Sequence, residues 1–150
     1  MRIYLDTSVY NRPFDDQTQP RIWLETLATA LILQMIESET AELVTSSVVE
    51  YENSRNPFPL RQRWVNRCLG LAGSRQPVND TIRQRALELE QEGIKAVDAL
   101  HLACAEAAAS DCFLTCDDKA IKRYSSRTDK TVHVFNPVEF VLKMAGEWEE

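Results

Sequence analysis

Arg2-Ile3-Tyr4-Leu5-Asp6 is the segment that decides the fold, because three large apolar residues follow one another and end in an acid. Such a short apolar run is typical of a strand buried on both faces of a parallel sheet. Further strands are predicted at Ala41–Thr45, Cys112–Thr115 and Val132–Phe135. Helical segments separate the strands, so we expect an α/β fold, a three-layer sandwich with a short central parallel sheet flanked by helices.

The segments between the strands carry helix signals. Pro20 suits a first helical turn, and apolar residues follow it at helical spacing. Ser46 or Ser47 can cap a helix that carries Glu50 and stops at Asn56-Pro57. Further helices are predicted over 59–71, from 79 or 80 to 93, over 95–110 and 117–124, and from 137 onward.

Length and composition fit one globular domain over residues 1–150. Hydrophobic residues make up 44% of the chain, enough to form a core, but no apolar run is long enough for a membrane span. Asp6 interrupts any apolar signal-peptide region, so we expect a cytoplasmic protein without membrane contact. The net charge of −6 argues against nucleic-acid binding by bulk charge, although a nuclease needs only a local basic rim.

The four cysteines do not suggest a metal or redox site. Cys68, Cys104, Cys112 and Cys116 form no C-x-x-C pair, so the common zinc and redox spacings are absent. With only two histidines in the chain, a histidine-rich site is disfavoured as well. We interpret the cysteines as small buried hydrophobic residues.

Three acids follow predicted strands. Asp6 ends the first strand, Glu50 lies about one helical turn beyond the second, and Asp117 follows the third. Ligands of a parallel α/β sheet bind outside the carboxyl ends of the strands, so these acids should share one edge. Asp98 joins them as a candidate, because it lies near the start of an alanine-rich helix among apolar neighbours.

Four clustered carboxylates repel one another, and such a cluster persists when a cation compensates it. Oxygen ligands without Cys or His suit Mg²⁺ or Mn²⁺. Such ions can activate water, orient a phosphate and stabilise a leaving oxygen, which phosphodiester hydrolysis requires. We therefore predict Asp6, Glu50, Asp98 and Asp117 as catalytic metal ligands.

Each acid alone also has a structural interpretation. Asp6 could be satisfied by the backbone of the next turn, Glu50 could be solvated, and Asp117 could be an N-cap. Ser8 and Thr115 could form caps and turns or hold the carboxylates of Asp6 and Asp117 in place. Asp118 competes with Asp117 as a ligand, and His101, three residues after Asp98, is left out of the predicted site.

Four motifs in order resemble the PIN-domain family. They are Leu5–Tyr10, Thr45–Tyr51, Lys95–Ala103 and Phe113–Asp118, followed by a closing segment at Val134–Pro137 with Phe140. The resemblance implies an endonuclease that uses Mg²⁺ or Mn²⁺ to cleave single-stranded RNA. The single-domain size is similar to that of VapC-type toxins, which implies a homodimer neutralised by a small antitoxin.

Other functions remain open at this point. A PIN-fold nuclease outside a toxin–antitoxin pair and a non-catalytic RNA-binding PIN module fit the same motifs. A haloacid-dehalogenase type would need a second Asp at the position of Ser8, and a receiver domain would need paired acids at the first strand. Two basic runs could track an RNA backbone or simply be solvated: Arg61, Arg63 and Arg67 with Trp64, and Lys119, Lys122 and Arg123.

Overall fold

The computed structural model describes the backbone of residues 1–149 and the side chains of residues 1–146. Within this range, five strands form one parallel sheet in the order β3-β2-β1-β4-β5. The central position of β1 explains why its apolar residues are fully buried. The strands are β1 Arg2–Leu5, β2 Glu42–Ser46, β3 Ala72–Gln76, β4 Cys112–Leu114 and β5 His133–Phe135.

Helices flank this sheet, which confirms the predicted α/β sandwich. The longest helix, α2, begins at Pro20 as predicted and packs against α8, while α5 packs against α6. The described helices are α1 Thr7–Asn11, α2 Pro20–Glu37, α3 Ser47–Ser54, α4 Pro59–Leu69, α5 Asp80–Glu90, α6 Ala96–Ala107, α7 Asp118–Ser125 and α8 Pro137–Glu149. None of these helices is both long and apolar enough to cross a membrane.

The prediction of four strands was wrong, because the sheet contains a fifth strand, β3. Its sequence Ala-Gly-Ser-Arg-Gln has no apolar run, and its residues alternate between half-buried and exposed. The strand pairs only with β2, at the edge of the sheet, so burial does not demand large apolar side chains there. The predicted helix over 59–71 ends at Leu69 instead, which leaves the chain free to enter β3. The short helix α1 was not predicted either.

The strand order reverses beside β1. The chain adds β2 and β3 on one side of β1 and then returns to add β4 and β5 on the other. A sheet of this topology binds ligands where the order reverses, at the carboxyl ends of the two strands concerned. Asp6 and Thr115 follow β1 and β4 at this point, and the Asp6 N–H donates to the Leu114 carbonyl at 3.0 Å.

Within residues 1–146 no disulfide bond forms: Cys68, Cys104 and Cys112 are buried and Cys116 is partly buried. Burial raises the pKa of the Cys68 and Cys104 thiols to about 11. They therefore stay protonated at neutral pH and pack as small hydrophobic groups, as the sequence predicted.

Candidate active site

Asp6 is the central carboxylate of the candidate site, and it is only 5% exposed. Its Oδ2 accepts hydrogen bonds of 2.8 Å from both Ser8 Oγ and Thr115 Oγ1. Thr115 Oγ1 also accepts the Asp117 N–H at 3.2 Å, so the same hydroxyl contacts both acids. These contacts fix one carboxylate oxygen of Asp6 and leave Oδ1 directed elsewhere.

Asp6 has no strong cationic partner. Within residues 1–146, neither Lys nor Arg forms an ion pair with it, and the nearest basic group is His101 Nε2, 3.5 Å from Oδ1. Burying an ionised carboxylate costs several kcal/mol unless another charge or strong hydrogen bonds compensate it. Two hydroxyl donors provide part of that compensation, but neither carries a positive charge.

Asp98 and Asp117 lie together beside Asp6. Burial, the charge of Asp6 and the hydrogen bond to Asp117 raise the pKa of Asp98 to about 7. Burial opposes ionisation of Asp117 too, but the hydrogen bond from Asp98 and two backbone N–H groups lower its pKa overall. The pair thus favours the proton on Asp98 and the negative charge on Asp117, as expected for carboxyl groups that lie close together.

The donor chemistry of these three acids fits Mg²⁺ or Mn²⁺. Asp6, Asp98 and Asp117 offer only hard oxygen donors, and a cation would relieve the repulsion that keeps Asp98 protonated. Among residues 1–146, no three acidic, imidazole or thiol groups are arranged as ligands of one ion. The three acids are therefore neighbours whose side chains would have to turn toward a common point to bind one.

Glu50, the fourth predicted ligand, occupies a different environment. It accepts a 2.7 Å hydrogen bond from Arg75 Nε on β3, and among the described side chains no hydrogen bond joins it to the three aspartates. Glu52, on the same helix, instead accepts a 2.7 Å hydrogen bond from Thr7 and another from His101. Glu52 follows Val48 by four residues and shares its buried helical face, a signal that was present in the sequence.

His101 was also omitted from the predicted site. Its ring is 0% exposed, with Nδ1 2.7 Å from the Tyr4 hydroxyl and Nε2 against Glu52. The two carboxylates beside Nε2 raise the pKa of the imidazole, although burial opposes the charged form. The spacing of three residues from Asp98 indicated proximity, but the partners of His101 come from other elements.

The structure separates the adjacent acids Asp117 and Asp118. Asp117 faces Asp98 and caps α7, whereas Asp118 forms two hydrogen bonds with Arg21 on α2, at 2.6 and 2.7 Å. This two-point contact is the usual geometry of an arginine–carboxylate pair. Asp118 is thereby directed away from the Asp98–Asp117 pair.

The two basic runs differ in how they are used. Arg61 stacks on Phe58 and Phe14, with its guanidinium carbon 4.8 and 5.6 Å from the ring centroids. Arg63 and Arg67 are exposed on α4. In the second run Lys119 and Lys122 are exposed, while Arg123 donates to the Gly93 carbonyl. Exposed cations of both runs remain available to a polyanion.

Comparisons with known proteins identify the family and the fold. The family model described as PIN domain matches residues 3–126. The chain is similar to FitAcB from Neisseria gonorrhoeae, with TM-score 0.57, 20% identity and coverage of 90% of this chain and 97% of that chain. It is also similar to VapBC2 from Rickettsia felis bound to a DNA fragment from their promoter, with TM-score 0.55, 19% identity and coverage of 91% and 98%. No curated protein matches the chain.

Proposed function

This chain belongs to the PIN-domain family, and from that premise we propose that residues 1–150 form a divalent-metal-dependent endoribonuclease that cleaves single-stranded RNA. The observation that carries the proposal is the uncompensated charge at the strand-order reversal. There, buried Asp6 has no Arg or Lys partner among residues 1–146 and helps to raise the pKa of Asp98 to about 7.

Asp6, Asp98 and Asp117 are the residues that would hold Mg²⁺ or Mn²⁺. Ser8 and Thr115 keep Asp6 Oδ2 fixed, so Asp6 can offer Oδ1 without turning away. Asp98 would have to give up its proton to become a full ligand. The predicted fourth ligand, Glu50, would have to leave Arg75 to join them, and its role stays a prediction.

When bound, a divalent ion lowers the pKa of water and neutralises charge on a phosphodiester. The chain contributes the orientation of the acids and an apolar layer beneath them, since Ile3, Tyr4 and Leu5 of β1 are fully buried. The exposed arginines and lysines, such as Arg63 and Lys119, would guide the backbone of an RNA strand toward the acids. Single-stranded RNA suits a site at the carboxyl ends of the strands, because its phosphates can reach the acids directly.

A cleavage assay tests the enzymatic proposal. Purified protein is incubated with mixed RNA and Mg²⁺ or Mn²⁺, then with excess EDTA, and Asp98→Asn serves as the matched inactive variant. We expect cleavage only with the metal and only in the wild type. Cleavage that persists unchanged in EDTA would contradict a metal-dependent mechanism. RNA binding without cleavage would favour the non-catalytic PIN module instead.

We further propose that this nuclease is the homodimeric toxin of a type II toxin–antitoxin pair in the cytoplasm. The VapC-like motifs and the similarity to VapBC2 support this role. A toxin site has to be blocked in the resting cell, and the acidic site would accept a basic side chain. Arginine fits best, because its planar fork pairs with carboxylates in two-point geometry. The partner would thus be a small protein with a basic residue in a short amphipathic segment.

Co-purification with the products of neighbouring genes tests the partnership. We expect a small protein with a basic residue in an amphipathic segment to bind the wild type and to suppress its ribonuclease activity. The expected phenotype of the toxin expressed alone is growth arrest, which Asp98→Asn should relieve. A protein that purifies alone and is harmless when overexpressed with its acids intact would refute the toxin role and leave the nuclease role standing.

A further inference from the structure

One stretch of this acidic chain carries only positive charge. Residues 53–79 contain five arginines and neither an aspartate nor a glutamate, although the net charge of the whole chain is −6. The five are Arg55, Arg61, Arg63, Arg67 and Arg75, of which the last pairs with Glu50. A local excess of cations in an acidic protein favours a polyanionic ligand at this one surface.

The other four arginines lack a close carboxylate partner among the side chains that the structure describes. Arg55, Arg63 and Arg67 form no ion pair there, and Arg61 approaches Asp15 only to 3.8 Å. Their charges therefore remain available to phosphate groups.

Exposed aromatic rings accompany two of these guanidinium groups. Arg61 lies over the rings of Phe58 and Phe14, at 4.8 and 5.6 Å from their centroids. Arg55 lies over Tyr51, at 5.9 Å. Phe58 and Tyr51 are 55% and 63% exposed, so the side of each ring opposite the guanidinium can receive another flat group. We call Tyr51, Arg55, Phe58 and Arg61 the aromatic–arginine strip.

The strip lies at the same edge of the sheet as the acids. Helix α3 begins where β2 ends, and α4 has to return to the amino end of the sheet, where the parallel strand β3 begins. Phe58 directly precedes α4 and is therefore near the carboxyl ends of the strands. Arg67, in the last turn of α4, lies toward the opposite end.

The segment that follows Asp6 leads to the strip. Helix α1 starts immediately after Asp6, and Trp64 Nε1 on α4 donates to the Tyr10 carbonyl of α1 at 3.0 Å. Farther along the segment, Arg61 donates to the Phe14 carbonyl at 2.9 Å. Five α-helical and three 3₁₀-helical residues span about 14 Å at most. A few nucleotides of single strand therefore connect the acids with the strip.

This combination of groups suits single-stranded nucleic acid better than a protein partner. Proteins hold a single strand by stacking its bases on aromatic rings and pairing its phosphates with cations. The stacking accepts any base, because every base has a flat π-face. A partner segment with a basic residue, as proposed for the acids, would be repelled by the arginines of the strip.

We propose that Phe58 and Tyr51 stack bases of the RNA strand whose phosphate lies at the acidic site. Arg61 and Arg55 support the two rings, and Arg63, exposed on α4, binds a phosphate of the same strand. This inference rests on the proposed ribonuclease function and adds base contacts to it.

Binding of a labelled single-stranded RNA in excess EDTA, which prevents metal-dependent cleavage, tests the inference by fluorescence anisotropy. Loss of one stacking side chain typically weakens affinity about 5- to 150-fold. Phe58→Leu should therefore bind at least about fivefold more weakly, because leucine is apolar but has no ring. Phe58→Trp should bind as tightly as the wild type or more tightly. The matched control is Leu60→Ala, which changes an apolar side chain that is 64% exposed and should have no effect.

An abasic strand of equal length separates base stacking from phosphate contacts. It should bind the wild type and Phe58→Leu equally, since it has no base to stack. Arg63→Gln should weaken both strands and reduce the slope of log affinity against log salt by about 0.7, the value for one phosphate contact in a single strand. Phe58→Leu should leave that slope unchanged, and circular dichroism establishes that each variant is folded.

The outcomes separate the two proposals. Equal RNA affinity in the wild type, Phe58→Leu and Tyr51→Leu, beside a wild type that cleaves RNA with metal, overturns only the stacking role. Unchanged RNA affinity together with lost binding of a small partner protein would make the strip a protein contact and overturn it too. The expected losses in a protein that cleaves no RNA with either ion would support the strip and refute the nuclease. A wild type that neither binds nor cleaves RNA overturns both.

Discussion

Two buried carboxylates, Glu25 and Asp6, are compensated in opposite ways. Glu25 on α2 is 0% exposed, forms an ion pair of 2.8 Å with Arg12 and lies 3.5 Å from Arg21. The amide of Asn136 donates to its other oxygen. Asp6 is nearly as buried, yet its partners are two hydroxyl groups and an imidazole. Within residues 1–146, guanidinium counter-charges therefore lie beside Glu25 and not beside Asp6.

The difference indicates which region is structural and which is functional. The arginines around Glu25 join α2 to the turn that follows α1, and Arg21 also binds Asp118 at the start of α7. A charge balanced inside the chain has no need of an external ion. The Asp6 region keeps excess negative charge, which costs stability and is retained where an external cation is to be bound.

The largest expected effect is on RNA cleavage, and it distinguishes Asp117 from the adjacent Asp118. Asp117 belongs to the uncompensated region and Asp118 to the compensated one, through Arg21. Asp117→Asn should lower RNA cleavage by about 10³-fold, since about 4 kcal/mol of transition-state stabilisation by metal would be lost. Asp118→Asn should lie within about threefold of wild type, because an exposed ion pair contributes about 1 kcal/mol or less.

Single-turnover kinetics with a defined single-stranded RNA would measure both variants. Circular dichroism of each variant establishes that the fold is retained. Equal losses in the two variants would mean that Asp118 shares the site, and the division between the regions would be wrong.

The second prediction compares the regions by stability. Arg12→Met leaves the buried Glu25 charge poorly compensated and should lower the free energy of unfolding by about 3 kcal/mol. Asp6→Asn removes one charge from a repulsive group, so the metal-free protein should be equally or more stable. Urea denaturation of metal-free protein measures both.

Arg21→Met is the matched control for Arg12→Met. Its side chain is half exposed and lies farther from Glu25, so a loss of about 1 kcal/mol or less is expected. A large destabilisation by Asp6→Asn without metal would show that Asp6 is a structural residue like Glu25.

The third prediction concerns the effect of a bound divalent ion on the melting temperature. Mg²⁺ or Mn²⁺ should raise the melting temperature, since an ion present at 100 times its Kd stabilises the folded state by about 2.7 kcal/mol. EDTA should remove the gain. The increase should vanish in Asp6→Asn and persist in Asp118→Asn, and differential scanning fluorimetry would show this. An equal increase in both variants would place the ion elsewhere.

The smallest expected effect is a dependence of the melting temperature on pH. Burial and the charge of Asp6 raise the pKa of Asp98 to about 7, so the folded protein keeps a proton that the unfolded chain releases near pH 4. The stability from this proton is present below about pH 4 and is lost as the pH rises through about 7. Without metal, the wild type and Asp98→Asn should have similar melting temperatures near pH 4. Above about pH 7, the melting temperature of the wild type should be a few degrees below that of Asp98→Asn. Parallel melting curves across this range would contradict the coupling.

Much of the fold was predictable because its signals are local. Strands β1, β2, β4 and β5 are short apolar runs, and Pro20 marks the start of α2. The edge strand β3 escaped prediction because a strand with one neighbour and an exposed face carries little apolar signal. The predicted contacts of Ser8 and Thr115 with the acids also followed from position, since both residues lie within three positions of a strand end.

The partners of the acids were less predictable. Glu50 was chosen for its position in a motif, and its Arg75 partner lies on the strand that was missed. Helical spacing alone would have directed attention to Glu52, which lies on the buried face of α3. That Glu52 binds Thr7 and His101 could not be inferred from spacing, because three separate elements meet there.

The sequence by itself determined the parallel α/β fold and the position of Asp6, Asp98 and Asp117, because strand ends and helix starts are set by local patterns. Only the tertiary structure decided which charges are compensated. Arg21 and Asp118 are 97 residues apart, as are Tyr4 and His101. Electrostatic partners are fixed by distance in space, and packing of α2, α3, α6 and α7 around the sheet brings them together. Among the side chains that the structure describes, that packing placed guanidinium groups beside Glu25 and none beside Asp6.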